Sequence, residues 1–200
     1  MLQPSCLPSP RGPVSASLIR RLRTTRGVVG PVGDAVLTDD DAQLSLYVIH
    51  ELSYRGFDGV PEWMEWDEEV VRTRRRIETA MESELRDRVG LVPADARSVL
   101  RRLADGTDGP SLSAHLAEHP VPGHLREFAV HRSAYQQKEA DPHSWALPRL
   151  SGRAKSALVE IQSDEYGRGV PGEAHAELWA TTMEELGLDP TYGRYTDLLP

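Results

Sequence analysis

Apolar side chains recur at helical spacing in one segment of this chain after another, and glycine or proline separates most of the segments. The last segment ends at Gly187 with Pro190 just beyond it, a common way for a helix to stop. No segment alternates apolar and polar residues as a half-buried strand would. The pattern predicts helices over about residues 38–56, 67–85, 95–103, 111–118, 122–140, 152–166 and 172–186. It therefore predicts an all-α fold.

Two polar residues fall on the apolar faces of the last two predicted helices. Glu165 continues the stripe of Leu158 and Ile161. His175 shares a face with Leu178 on the next helix, across a glycine-containing break. We expect both side chains to point to the core and to converge there. Because a buried ionised carboxylate is very costly unless it is paired or binds a metal, the pair is a candidate metal site.

The composition limits the classes of partner. The chain has 200 residues, enough for one stable domain, and a formal net charge of −8. This acidity argues against a nucleic-acid partner and against an anionic membrane surface. No apolar run reaches the length that spans a bilayer. The single cysteine, Cys6, cannot form an internal disulfide, so we expect a cytoplasmic location.

The first 38 residues differ from the rest, because prolines alternate there with Ser, Gly and Arg. A few apolar residues lie among arginines at 18–23, and a targeting peptide is one interpretation of them. A flexible tail is the interpretation that we favour. We therefore predict a disordered extension over residues 1–38 and a helical domain over residues 39–200.

Several short segments, in this order and spacing, form a recognisable set. They are residues 46–57 (LYVIHELSYRGF), 65–67 (EWD), 135–143 (YQQKEADPH) and 165–169 (EYGRG), with His175 after the last. Together they resemble the iron-containing redox enzyme family, which has a heme-oxygenase-like helical fold. The resemblance covers roughly residues 40–195.

The resemblance implies a function and a ligand set. It implies non-heme Fe(II), as one or two ions, in an oxidase or oxygenase that uses dioxygen to act on a small organic substrate. By position, Glu165 and His175 match the first carboxylate and the first imidazole of the family's iron site. The other family ligands lie on later helices, and this sequence stops at Pro200 before them. We therefore expect an incomplete helical bundle, whose site is completed by further sequence or by another polypeptide if the protein is an enzyme.

Alternative interpretations stay open. The protein could be a catalytically incomplete helical scaffold or partner-binding module, with an uncovered apolar face near Leu158 and Leu178. In either case we expect a homo-oligomer or another partner covering that face. Glu165 could instead be a solvated helix-end carboxylate and His175 a hydrogen-bonded core histidine. Glu139 could lie near the metal, although a pairing with Arg132 is the interpretation that we favour.

Overall fold

The protein is all-α in a computed structural model that describes residues 5–90, 95–106 and 109–199. The helices are α1 (Pro13–Thr24), α2 (Asp40–Glu51), α3 (Glu68–Val89), α4 (Ala96–Asp105), α5 (Leu112–Glu118), α6 (Pro122–Gln136), α7 (Asp141–Ser144), α8 (Gly152–Glu165) and α9 (His175–Glu185). Short 3-10 helices lie at Glu62–Trp66, Leu147–Arg149, Gly167–Gly169 and Thr196–Leu198. Within the described ranges the only β pairing is an isolated bridge between Ser5 and Phe57. The predicted fold class is confirmed.

The chain divides into two compact units that do not follow the predicted boundary at residue 38. The amino-terminal unit contains residues 9–53 and 59–124. The carboxy-terminal unit contains residues 125–199 together with the short segments 5–8 and 54–58.

The amino-terminal unit includes a helix in the stretch where the sequence predicted disorder. Leu18, Ile19 and Leu22 of α1 are buried, with exposures of 0%, 3% and 0%. The carboxylate of Asp41, on α2, accepts hydrogen bonds from Val14 N (2.8 Å) and Ser15 N (2.7 Å) at the start of α1. The predicted disorder is therefore wrong for α1. A few apolar residues on one face are enough to stabilise this helix, because a carboxylate distant in sequence caps it.

Capping by aspartate determines where α2 and α3 begin. Thr38 fits the N-cap position of α2 by sequence, but Asp39 takes it and accepts hydrogen bonds from the backbone N–H groups of Asp41 and Ala42. Asp67 caps α3 and also forms a two-pronged ion pair with Arg21 of α1, with both N–O distances at 2.7 Å. The guanidinium of Arg21, followed by two backbone N–H donors, holds the pKa of Asp67 below its ordinary value.

The carboxy-terminal unit has a small core and an exposed apolar surface. Its buried apolar side chains among the described residues include three alanines, and Met183 is the largest that is completely inaccessible. Val159 and Ile161 of α8 are 49% and 51% exposed, and Leu178 of α9 is 49% exposed. The expected inward direction is therefore wrong for Ile161 and Leu178, whereas Leu158 and Glu165 of the predicted α8 stripe are partly buried.

None of the helices in residues 5–90, 95–106 and 109–199 combines the length and the apolarity that a bilayer crossing requires.

Candidate metal centre

A tight left-handed turn joins α8 to the segment before α9. Gly167, Arg168 and Gly169 have φ values of +64°, +55° and +80°. At Gly167 an added Cβ would lie 2.5 Å from the carbonyl carbon of Glu173 and 2.6 Å from the nitrogen of Ala174. Only glycine allows two backbone segments to approach so closely at this φ. The turn thus brings the start of α9 back against the end of α8.

This turn places the two predicted ligands side by side. Oε2 of Glu165 and Nδ1 of His175 lie 2.7 Å apart. The Glu165 side chain is 19% exposed, whereas the His175 side chain is 53% exposed. The expected convergence is present, but the expected burial of His175 is wrong, because it occupies the first position of α9 at the edge of the unit.

The contact between these atoms is close without being an aligned hydrogen bond. Oε2 of Glu165 is inaccessible to solvent and has no hydrogen-bond partner among the described residues. The imidazole N–H therefore does not point along the line that joins the two atoms. A carboxylate oxygen and an imidazole nitrogen are both donor types that bind metal ions in proteins.

The neighbouring polar groups hold both side chains in place. Oε2 of Glu177 accepts hydrogen bonds from Gly172 N (3.0 Å) and Ala174 N (3.2 Å), which fixes the backbone just before His175. On α8, Nε2 of the buried Gln162 donates to the Ala140 carbonyl and to Ser144 Oγ, both at 2.9 Å. These contacts tie α8 to α7 close to Glu165.

Tyr166 makes a second link from the end of α8 to α7. Its hydroxyl donates to Oδ1 of Asp141 at 3.0 Å and lies 3.2 Å from Ser144 Oγ. Burial is the largest cause that raises the pKa of the Tyr166 phenol, and the nearby Asp141 carboxylate adds to it. Tyr166 therefore stays neutral and keeps its proton as a donor to Asp141.

Glu165 and His175 line one side of a cavity of about 910 Å³ within the carboxy-terminal unit. Glu139 lines the same cavity, and its interaction with the Tyr135 phenol is the largest cause of the raised pKa of Tyr135. Arg132 lies over the Tyr135 ring at 4.6 Å from its centroid, and no Arg132–Glu139 ion pair occurs in the described residues. The favoured pairing is therefore wrong, and the structure places Glu139 in the lining of the same cavity as Glu165 and His175.

The cavity also has lining residues that were not predicted from the sequence. Arg55 and Gln137 line it, together with Lys138 and Tyr192. Arg55 appeared only as part of a recognised segment, because its contacts with Gln137 and Tyr192 join residues far apart in the chain. A basic residue just before Gly56, at the end of a helical segment, was the only local signal.

The described residues offer two of the donors that an iron site needs. No group of three or more His, Cys, Asp and Glu side chains lies close enough to hold a metal within residues 5–90, 95–106 and 109–199. Glu165 and His175 supply one oxygen and one nitrogen donor, which suit Fe(II) in type. The pair fits one side of an iron site, and the sequence prediction that both bind metal stays a prediction.

Comparison with known proteins supports the resemblance in the part of the chain that contains this pair. Residues 126–200 match the family model described as Iron-containing redox enzyme. The match includes Glu165 and His175 but leaves out the recognised segments 46–57 and 65–67. No curated protein matches the chain. The predicted recognition is therefore confirmed over residues 126–200, which are similar in sequence to the iron-containing redox enzyme family.

Proposed function

We propose that this protein is a non-heme iron-dependent oxidoreductase that uses dioxygen to oxidise a small organic substrate. The observation that carries the proposal is the Glu165–His175 pair, 2.7 Å apart at the wall of a cavity of about 910 Å³. The match of residues 126–200 to a family of iron-containing redox enzymes supports the same metal.

The donor set is the physical basis for iron. A carboxylate oxygen and a neutral imidazole nitrogen are the ligands that non-heme Fe(II) commonly takes. The Oε2 atom is buried without a hydrogen-bond partner, an arrangement that costs free energy unless a cation satisfies it. One or two iron ions are compatible with the pair, and further ligands are needed in both cases.

Each part of the site has a role in the proposed reaction. When bound, iron would supply the one-electron redox chemistry that dioxygen activation requires. Glu165 and His175 would hold it at the cavity wall, with Gln162 and Glu177 fixing the backbone on either side. The cavity would orient the organic substrate beside the pair and limit the access of water.

Iron retention tests the proposal. The full chain is loaded with Fe(II) without oxygen, desalted and analysed for iron by mass spectrometry. We expect the wild type to retain iron and Glu165→Ala and His175→Ala to lose most of it. Glu160→Ala, an exposed carboxylate on the same helix, is the matched control and should retain the wild-type amount. Equal traces of iron in all four proteins would contradict ligation by this pair.

The sequence also bears on the cellular location of the protein and on its partners. We infer a cytoplasmic location, supported by the single cysteine of the sequence. The net charge of −8 supports the absence of nucleic-acid and anionic-membrane partners.

A second candidate function follows from the exposed apolar residues of the carboxy-terminal unit. Val159, Ile161 and Leu178 are each about half exposed, and Trp145 is 57% exposed. Apolar surface of this kind marks interaction sites when it is contiguous. It favours a scaffold or partner-binding module, in which a second copy of the chain covers α8 and α9.

Sedimentation velocity tests whether a second copy of the chain covers α8 and α9. We expect a homo-oligomer, and we expect Ile161→Glu and Leu178→Glu to shift the population toward monomer. Glu160→Gln is the surface control on α8 and should leave the distribution unchanged. A wild-type protein that sediments only near 22.2 kDa at all concentrations would exclude self-association.

A further inference from the structure

The cavity that Glu165 and His175 line also contains Arg55, a cation that no carboxylate among the described residues neutralises. Nη2 of the half-buried Arg55 donates to the Gln137 carbonyl at 2.6 Å. The guanidinium carbon lies 4.0 Å from the centroid of the Tyr192 ring. These contacts hold the plane of the guanidinium, but no carboxylate in the described ranges pairs with it. An arginine fixed in this way still has N–H donors for a planar anion.

The carboxylates that line the same cavity interact with groups other than Arg55. Asp141 accepts from the Tyr166 hydroxyl, and Glu177 accepts from two backbone N–H groups. Glu139 interacts with Tyr135, and Oε2 of Glu165 lies 2.7 Å from Nδ1 of His175. Among the described residues, no carboxylate therefore competes with an incoming acid for Arg55.

Gln137, whose backbone carbonyl accepts from Arg55, also has a buried side-chain oxygen. Gln137 is 5% exposed, and its Nε2 donates to the Pro190 carbonyl at 2.6 Å. Since Nε2 must face a carbonyl, the other atom of this amide is the oxygen. That oxygen, Oε1, has no hydrogen-bond partner among the described residues, and Gln137 lines the cavity. A buried acceptor without a donor is costly, so a ligand that supplies one is favoured.

We propose that the cavity binds a small organic acid whose carboxylate pairs with Arg55 and whose hydroxyl or amino group donates to Oε1 of Gln137. The carboxylates that line the cavity would repel the acid group of the ligand and so favour its placement at Arg55. The role of this acid as substrate rests on the proposed oxidoreductase function. Its binding does not, and it can be measured without metal.

Titration calorimetry on the metal-free full chain compares three probes. These are 2-hydroxyhexanoate, which has both groups, hexanoate, which lacks the donor, and the uncharged 2-hydroxyhexanamide. We expect 2-hydroxyhexanoate to bind about tenfold tighter or more than either of the others. Equal binding of the acid and the amide, or no binding of any probe, would overturn the proposal.

Variants assign the contacts. We expect Arg55→Met to weaken 2-hydroxyhexanoate binding by about tenfold or more, and Gln137→Met to remove the preference over hexanoate. Arg153→Met, at an exposed arginine of the same unit outside the cavity, should bind as the wild type does. Wild-type affinity in a folded Arg55→Met protein would contradict the assignment. If that variant does not fold, the comparison of probes on the wild type decides.

The two proposals fail separately. Binding of 2-hydroxyhexanoate that depends on Arg55, together with iron retention that does not depend on Glu165, would keep the acid site and remove the iron enzyme. Iron retention that depends on Glu165, together with acid binding that does not depend on Arg55, would support the iron centre and contradict the acid site.

Discussion

Oε2 of Glu165 and Nδ1 of His175 lie 2.7 Å apart, on opposite sides of a left-handed turn that includes Gly167. The contact depends on the backbone, since a Cβ at Gly167 would meet Glu173 and Ala174 at 2.5–2.6 Å. The close approach of the backbone at this glycine thus helps to place the two candidate ligands side by side.

Substitution of this glycine should destabilise the turn. For Gly167→Ala we expect a loss of about 2–4 kcal/mol in the free energy of unfolding, because an unfavourable positive φ adds to a backbone clash. Gly169→Ala is the matched control, since φ is also positive there but nothing lies within 4 Å of the added Cβ. It should cost only about 1 kcal/mol. Urea denaturation measures both, and equal losses would show that the close approach at Gly167 is unimportant.

The ion pair between Arg21 and Asp67 should make stability depend on pH. Because the pKa of Asp67 is lowered in the folded protein, its contribution is fully present above the unfolded value of 3.8 and is lost as the pH falls through the folded pKa. We expect Asp67→Asn to cost about 2 kcal/mol at pH 7, since Asn still caps α3 but loses the charge. The difference from the wild type should shrink below pH 3.8.

Thermal unfolding of the wild type and Asp67→Asn between pH 7 and pH 2.5 measures this dependence. Asp58→Asn, an exposed carboxylate, is the control. A difference between the wild type and Asp67→Asn that is constant with pH would contradict the role of the charge.

Removal of the Asp41 carboxylate should release α1. Asp41→Ala leaves the N–H groups of Val14 and Ser15 without their acceptor, and we expect a loss of about 2 kcal/mol. Trypsin should then cleave faster at the arginines of α1, at residues 20, 21 and 23. Asp40→Ala changes the exposed neighbour and should be cleaved at the wild-type rate. Equal cleavage rates in the two variants would contradict capping of α1 by Asp41.

Gln162 should be important for the attachment of α8 to α7. Gln162→Leu removes the donor to the Ala140 carbonyl and to Ser144 Oγ, so we expect a loss of about 1–3 kcal/mol in urea denaturation. Ser163→Leu, at the exposed next position, should stay within about 0.5 kcal/mol of the wild type. A Gln162→Leu variant with the wild-type free energy of unfolding would show that this buried amide does not hold the two helices together.

The sequence predicted what depends on neighbours along the chain. The α3, α5, α8 and α9 helices lie where periodicity and capping residues placed them, because these signals act within one or two helical turns. The glycines after Glu165 likewise marked the break that brings His175 back. The convergence of the two candidate ligands could therefore be predicted from their spacing.

Only the tertiary structure decided which faces are covered and which distant groups meet. The cap of α1 by Asp41, and the position of Arg55 beside Gln137 and Tyr192, join residues with no shared local pattern. The half exposure of the His175 and Ile161 side chains could not be predicted from the sequence either. Periodicity shows that a helix has an apolar face, but whether another element covers that face depends on how the whole chain packs.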